Sequence, residues 1–236
     1  MKQMINRLSI VIILVLQTLV ATSQEIPVGS WRDHLPYIDA VSVTEAEDLV
    51  YCASNSTLFT YDKTDFSIER LSIVNGLSDI GVSKVFFNEF NKKTIVAYAN
   101  GNIDIIDKDK SITNLPAIKT TSILGSKRVN DIYCQQELAY LSTGFGIVVL
   151  NTEKIEIVET YFFGPLGSPV FTNAVTTDAV NIYAATDQGV FFANKNSANL
   201  IDFNAWSLLP ELGVFEYSNI VSFSNTLFAS LELPGV

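Results

Sequence analysis

Histidine occurs once in these 236 residues, cysteine twice and tryptophan twice, and 15 basic residues face 25 acidic ones. Each scarcity excludes something. The one imidazole, His34 beside Asp33, leaves little room for a nucleophilic triad, and no Gly-x-Ser-x-Gly occurs. His34 reads as a polar residue at a strand end. Two cysteines, Cys52 and Cys134, have no further cysteine or histidine near them and cannot form a structural zinc set, which takes four ligands. Basic residues are scattered, with only Lys92-Lys93 and Lys127-Arg128 adjacent in a chain of net charge −10, so a nucleic-acid backbone is not an expected partner. Charged residues make up 17% against 48% hydrophobic, which excludes a disordered chain. The uncharged run 8–20 is too short to cross a bilayer, and the mature chain offers no other spanning segment.

What is present begins with an address. Lys2 and Arg7 precede the apolar run, and Ala21-Thr22-Ser23 follow it, the three parts of a secretory leader with cleavage expected before Gln24. The reading is a signal peptide over 1–23 and export to the periplasm and then the outer membrane or cell surface.

The remainder repeats. Turn-then-apolar words occur at Asn55-Ser56-Thr57-Leu58-Phe59, Asn100-Gly101-Asn102-Ile103, Gly144-Phe145-Gly146-Ile147 and Asp187-Gln188-Gly189-Val190. With Thr57, Gly101, Gly146 and Gly189 taken as equivalent, the spacings are 44, 45 and 43 residues. Within each unit the alternation has a period of two, and no segment offers an amphipathic helix. Four strands per unit are expected: 40–44, 49–53, 58–62 and 67–71 in the first; 83–87, 94–98, 102–107 and 111–115 in the second. The third gives 130–134, 138–142, 146–151 and 155–160, and the fourth gives 172–176, 181–185, 189–194 and 205–209. A fifth unit starts near 219 and runs through 226–231. Four strands in a tandem period of this length spell an all-β fold, a β-propeller. A β-solenoid has a shorter repeat, and a sandwich has no internal period. Fewer than five periods fit after residue 23. Residues 24–236 are therefore expected to be the N-terminal part of an incomplete propeller, about four and a half four-stranded blades of a ring of seven. Trp31 and Pro36 echo Trp206 and Pro210, so 28–35 is expected to supply the outermost strand of the last blade.

The repeat also disposes of the cysteines: Cys52 and Cys134 fall in units one and three with a blade between them, too far apart for a bridge. Asp107-Lys108-Asp109 opens like a calcium loop but has Ile112 where glycine is needed and Ile118 at the last ligand position. Gly144-Phe145-Gly146 is a tight turn, not a phosphate cradle, since no helix follows. Asn55-Ser56-Thr57 matches a glycosylation acceptor but fills a repeat turn. No catalytic, metal or cofactor set emerges. Tyr51, Tyr140 and Tyr183 recur at one position and read as blade packing. Contact surfaces are sought in what does not recur: 30–37, 163–169 and 195–204, with Trp31, Arg32, His34, Phe163 and Trp206 as candidate contact residues.

The words Gly29-Ser30-Trp31-Arg32-Asp33-His34-Leu35-Pro36-Tyr37 and Val74-Asn75-Gly76-Leu77-Ser78-Asp79-Ile80-Gly81 resemble the N-terminal propeller of the PorZ family, a type IX secretion component. The stretches 98–106 and 141–150 are similar too. That resemblance implies a non-catalytic module in a cell-surface attachment complex with the sortase PorU and its partners PorV and PorQ. It also implies binding of an anionic lipopolysaccharide that is presented to the sortase. The Asn-Gly-Leu-Ser-Asp word also resembles the sensor propellers of hybrid two-component regulators, which makes a periplasmic ligand-sensing propeller the alternative.

Overall fold

The structure, a computed structural model, describes residues 37–224 and 226–231. The leader, the expected strand at 28–35, and Trp31, Arg32 and His34 lie outside the described residues.

Every strand of the described chain belongs to one of five antiparallel sheets laid down in chain order. The first holds β1 (Ala40–Ala46), β2 (Leu49–Ser54), β3 (Leu58–Asp62) and β4 (Ile68–Leu71), and the second holds β5 (Val82–Asn88), β6 (Lys93–Tyr98), β7 (Ile103–Ile106) and β8 (Ile112–Leu115). The third is β9 (Val129–Gln135), β10 (Leu138–Thr143), β11 (Gly146–Asn151) and β12 (Glu156–Tyr161). The fourth is β13 (Thr172–Thr177), β14 (Asn181–Thr186), β15 (Gly189–Asn194) and β16 (Ser207–Leu208), and the fifth pairs β17 (Tyr217–Phe223) with β18 (Thr226–Leu231). Each strand expected within the described residues is found, with ends within two residues of the reading. β16 keeps only two residues because Phe203–Ala205 and Pro210–Leu212 wind into 3₁₀ turns on either side, the first capped by Asp202 and the second opened by a proline that cannot continue a ladder.

Sheets share their cores instead of owning them. On β6, Ile95 and Ala97 pack toward the third sheet, while Val96 and Tyr98 pack toward the first. On β11, Val148 and Leu150 face the second sheet, and Ile147 and Val149 face the fourth. A middle strand is thus buried on both faces, which is why these segments read as unbroken apolar runs. The fourth layer, around Ala185, Val190 and Ile220, joins sheets four and five. The outward faces of the end sheets carry exposed apolar groups, among them Val43 on β1 and Phe223 on β17.

The first strand of each sheet lies against the first strand of the next, β1 to β5 to β9 to β13 to β17, which makes these the inner strands of successive blades. The junctions reuse one position. Thr44 Oγ1 accepts from the Phe87 amide at 3.1 Å, Tyr133 OH meets Thr177 Oγ1 at 2.9 Å, and Thr176 Oγ1 accepts from the Ser222 amide at 3.1 Å. In the second blade that position is Phe86, with no hydroxyl. There a Lys84–Asp131 ion pair at 2.7 Å and an Asn88 Nδ2 to Gln136 carbonyl bond at 2.8 Å take over.

The turn between second and third strands corrects the repeat frame at one point. Ser54, Thr143 and Thr186 each donate a side-chain hydroxyl to the carbonyl of the residue that closes the turn, Thr57, Gly146 and Gly189. In the second blade the closing residue is Asn102, whose carbonyl accepts from the Tyr98 amide at 3.0 Å; Gly101 sits one position earlier. Tyr98 has replaced the turn-forming hydroxyl and turned inward, and the loop is one residue longer. A period that wavers by one residue hides this shift. Asp107 to Ser111 forms the hairpin between β7 and β8, with Asp109 accepting from the Ser111 amide and hydroxyl.

Cys52 and Cys134 are both free thiols, on β2 and β9 of different blades. Burial raises the Cys52 thiol pKa and pushes Cys134 up to about 12. Because the thiolate is the reactive form, iodoacetamide at pH 8 should leave Cys134 untouched in the folded protein and label both sites in denaturant. Mass spectrometry showing Cys134 alkylated at the same rate in both would contradict this packing.

Candidate functional site

Antiparallel order puts two kinds of connection at one end of every blade: the turn between strands two and three, and the crossover from strand four to the next inner strand. Of the residues that do not repeat, Tyr37 and 163–169 lie at this end; the insertion 195–204 leaves from the opposite end, where the Lys195 amide donates to the Val180 carbonyl at 3.0 Å, and returns toward it through Phe203 and Asn204.

In the first blade the crossover aromatic Tyr37 packs edge-on to Phe59 of β3, ring centroids 6.3 Å apart, and Arg70 of β4 lies over the Tyr37 ring at 4.8 Å. Phe59 stands two residues after the turn-closing Thr57. Two residues after Asn102 stands Asp104, fully buried on β7. Its carboxylate accepts from the Ser78 amide at 2.8 Å, from Asn114 Nδ2 at 2.8 Å and from Tyr98 OH at 2.5 Å. Burial, and next the bond to Asp104, drive the Tyr98 hydroxyl well above its ordinary pKa.

The word Asn75-Gly76-Leu77-Ser78-Asp79 is therefore a fastening. Ser72 and Asn75 form a reciprocal cap on a 3₁₀ turn, Leu77 is buried, Ser78 reaches Asp104, and Asp79 accepts from Asn100 Nδ2 and Lys119 Nζ, each at 2.7 Å. Partial burial works against the Asp79 carboxylate, but the Lys119 and Asn100 bonds outweigh it and hold its pKa below the usual carboxylate value. Asp104 escaped the sequence reading; its signal was an acid inside the apolar run Ile103-Asp104-Ile105-Ile106.

In the fourth blade the equivalent position is Phe191, and here the two described contact candidates meet. Phe163, from the crossover, stacks on Trp206 with centroids 4.6 Å apart and packs on Phe191 at 5.2 Å. Trp206 Nε1 donates to the Leu200 carbonyl at 2.9 Å, tying the 195–204 insertion to this stack. Both rings are more than nine-tenths buried. Large aromatic rings fill the space between a crossover and the next sheet, so Phe163 and Trp206 form the floor of a groove and are not its contact rim. The groove encloses about 450 Å³. Its rim is made by Leu166, Gln188, Asn204, Leu208 and Val214. Leu166 is 90% exposed on a left-handed residue at φ +59° within a 3₁₀ turn, an apolar side chain held out to solvent. No lining residue is ionisable, so the groove can bind and orient but holds no acid, base or nucleophile pair. Among the described residues no group of three or more His, Cys, Asp or Glu is placed to hold a metal ion.

The model of the type IX secretion PorZ N-terminal β-propeller domain matches residues 50–207, two-thirds of the chain. The chain belongs to this family. A solved PorZ of Porphyromonas gingivalis, described as an essential bacterial surface component of the type IX secretion system, is similar at 26% identity with a TM-score of 0.77, over 86% of this chain and 27% of that one. The extracellular domain of the putative hybrid two-component system BT4673 from B. thetaiotaomicron is similar at 14% identity and TM-score 0.64, over 81% of this chain and 26% of that one. The related BT3049 domain gives 13% and 0.56, over 82% and 25%. At such identities these two share the fold alone. No curated protein matches. The chain spans about a quarter of the length of these solved relatives. No described helix is long and apolar enough to cross a membrane.

Proposed function

We propose that this propeller is a non-catalytic interaction module of a type IX secretion attachment complex, binding anionic lipopolysaccharide and helping to present it to the sortase PorU alongside PorV and PorQ. The family match over residues 50–207 carries the reading. The groove over the fourth blade supports it, being lined for contact and empty of ionisable chemistry. The sensor alternative rests on fold likeness at 14% identity and on the single word Asn75-Gly76-Leu77-Ser78-Asp79, which here serves to fasten a crossover.

Charge shapes how such binding must work. At net −10 the chain repels an anionic glycan at long range, so recognition has to be local, through hydrogen bonds and apolar contact. Immunoprecipitation of the full-length protein from native membranes should recover the sortase complex. Capture of purified lipopolysaccharide should hold or strengthen as salt rises. Repeated failure to recover the sortase, together with lipopolysaccharide binding that collapses with salt, would overturn the proposal.

A further inference from the structure

The position two residues after the turn-closing residue is Phe59, Asp104, Val148 and Phe191 in blades one to four. In each blade it faces the incoming crossover. Blades one and four place a crossover ring against it, Tyr37 on Phe59 and Phe163 on Phe191. Blade two fills the space with the Asp104 network. Blade three does neither. Its crossover, residues 116–128, contains no aromatic residue, and Val148 is small. A half-open socket of about 260 Å³ is left there.

The socket is built, not accidental slack. A short helix, α1 (Ala117–Thr120), delivers Ile118 to one wall, with Ile123 beside it. Phe145 and Phe162, 6.1 Å apart, form another wall, and Val148 and Ile157 complete the lining. Its polar side chains are the hydroxyls of Thr121 and Thr160, and none is ionisable. An apolar cavity of about 150 Å³ suffices to hold a benzene molecule. This one is larger, and its phenylalanine pair offers the edge and face contacts that favour a further ring.

We infer that the third-blade socket is a binding site for a single neutral aromatic ring with at most one polar substituent, taking from outside what blades one and four supply from within. The ring can arrive as a free aromatic compound or on a polypeptide side chain. Titration of the full protein with p-cresol, followed by ligand-observed NMR, should show saturable millimolar binding, with 4-methylcyclohexanol weaker by about three-fold or more, since ring pairs add to plain burial.

Val148→Phe, which installs the residue found in blades one and four, should abolish the binding and raise the melting temperature. Ile157→Trp, at a half-buried position on the lining, should block the probe if the first variant folds poorly. N-acetyl-tyrosinamide binding as tightly as p-cresol would identify a polypeptide-borne ring, and its exclusion a free compound. No p-cresol binding, equal binding of 4-methylcyclohexanol, or unchanged binding in both variants would each overturn the inference.

Discussion

Gly146→Ala should destabilise the propeller by about 3–5 kcal/mol, among the largest effects a single methyl group can have. Two causes combine. Gly146 has φ +138°, a conformation that side-chain-bearing residues rarely adopt, and a Cβ built there falls 2.1 Å from the Tyr161 carbonyl oxygen. That carbonyl belongs to the neighbouring strand, where Ile147 pairs with Tyr161, so neither partner can withdraw without opening β11 from β12. Gly81→Ala provides the control: its φ is also positive, at +76°, but the nearest atom to its Cβ is 3.9 Å away. Backbone strain alone then costs about 1 kcal/mol. For a domain of this size, thermal melting should fall by about 10 °C in the first variant and by about 3 °C in the second. Equal shifts would show that the Tyr161 carbonyl does not crowd the turn.

Asp104→Leu should cost about 3–5 kcal/mol by a different route. The leucine fits an apolar surrounding, but it strands two donors, the Ser78 amide and Tyr98 OH, while Asn114 Nδ2 keeps its bonds to Asn102 Oδ1 at 3.0 Å and the Ile103 carbonyl at 3.1 Å. Each unsatisfied buried donor costs about 1–3 kcal/mol, partly relieved where water can enter. Asp109→Ala, which loses only exposed bonds to Ser111, should stay within about 0.5 kcal/mol. Since Ser78 anchors the crossover to the second blade, limited proteolysis of Asp104→Leu should cut first within residues 72–81. Cutting elsewhere, or a loss no larger than that of Asp109→Ala, would remove the fastening role assigned to Asp104.

The same carboxylate shows where sequence reading stops. Isolated in an apolar strand, Asp104 looks like a local fault; it becomes intelligible only when Ser78, distant in sequence, is brought to it by the crossover. Phe163 and Trp206 show a second limit. Phe163 opens a stretch that does not recur and Trp206 echoes Trp31; both line the groove with rings that are more than nine-tenths buried. Sequence registers that a large ring is unusual at a position and is blind to which side of it another chain segment will cover.

The period near 44 residues, the strands and their order and the two unpaired cysteines were legible in residues 37–231 read as a string, and the secretion family in the words at 29–37 and 74–81. Those features depend on alternation and turn chemistry, which are local. Only the tertiary structure decided which strand face meets which neighbour, that Asn102 and not Gly101 closes the second turn, and that the third blade lacks the crossover ring that blades one and four hold. Such features depend on groups dozens of residues apart coming within a few ångströms. Their energies arise from burial and hydrogen bonding across the junctions between sheets, and no single repeat contains both sides of a junction.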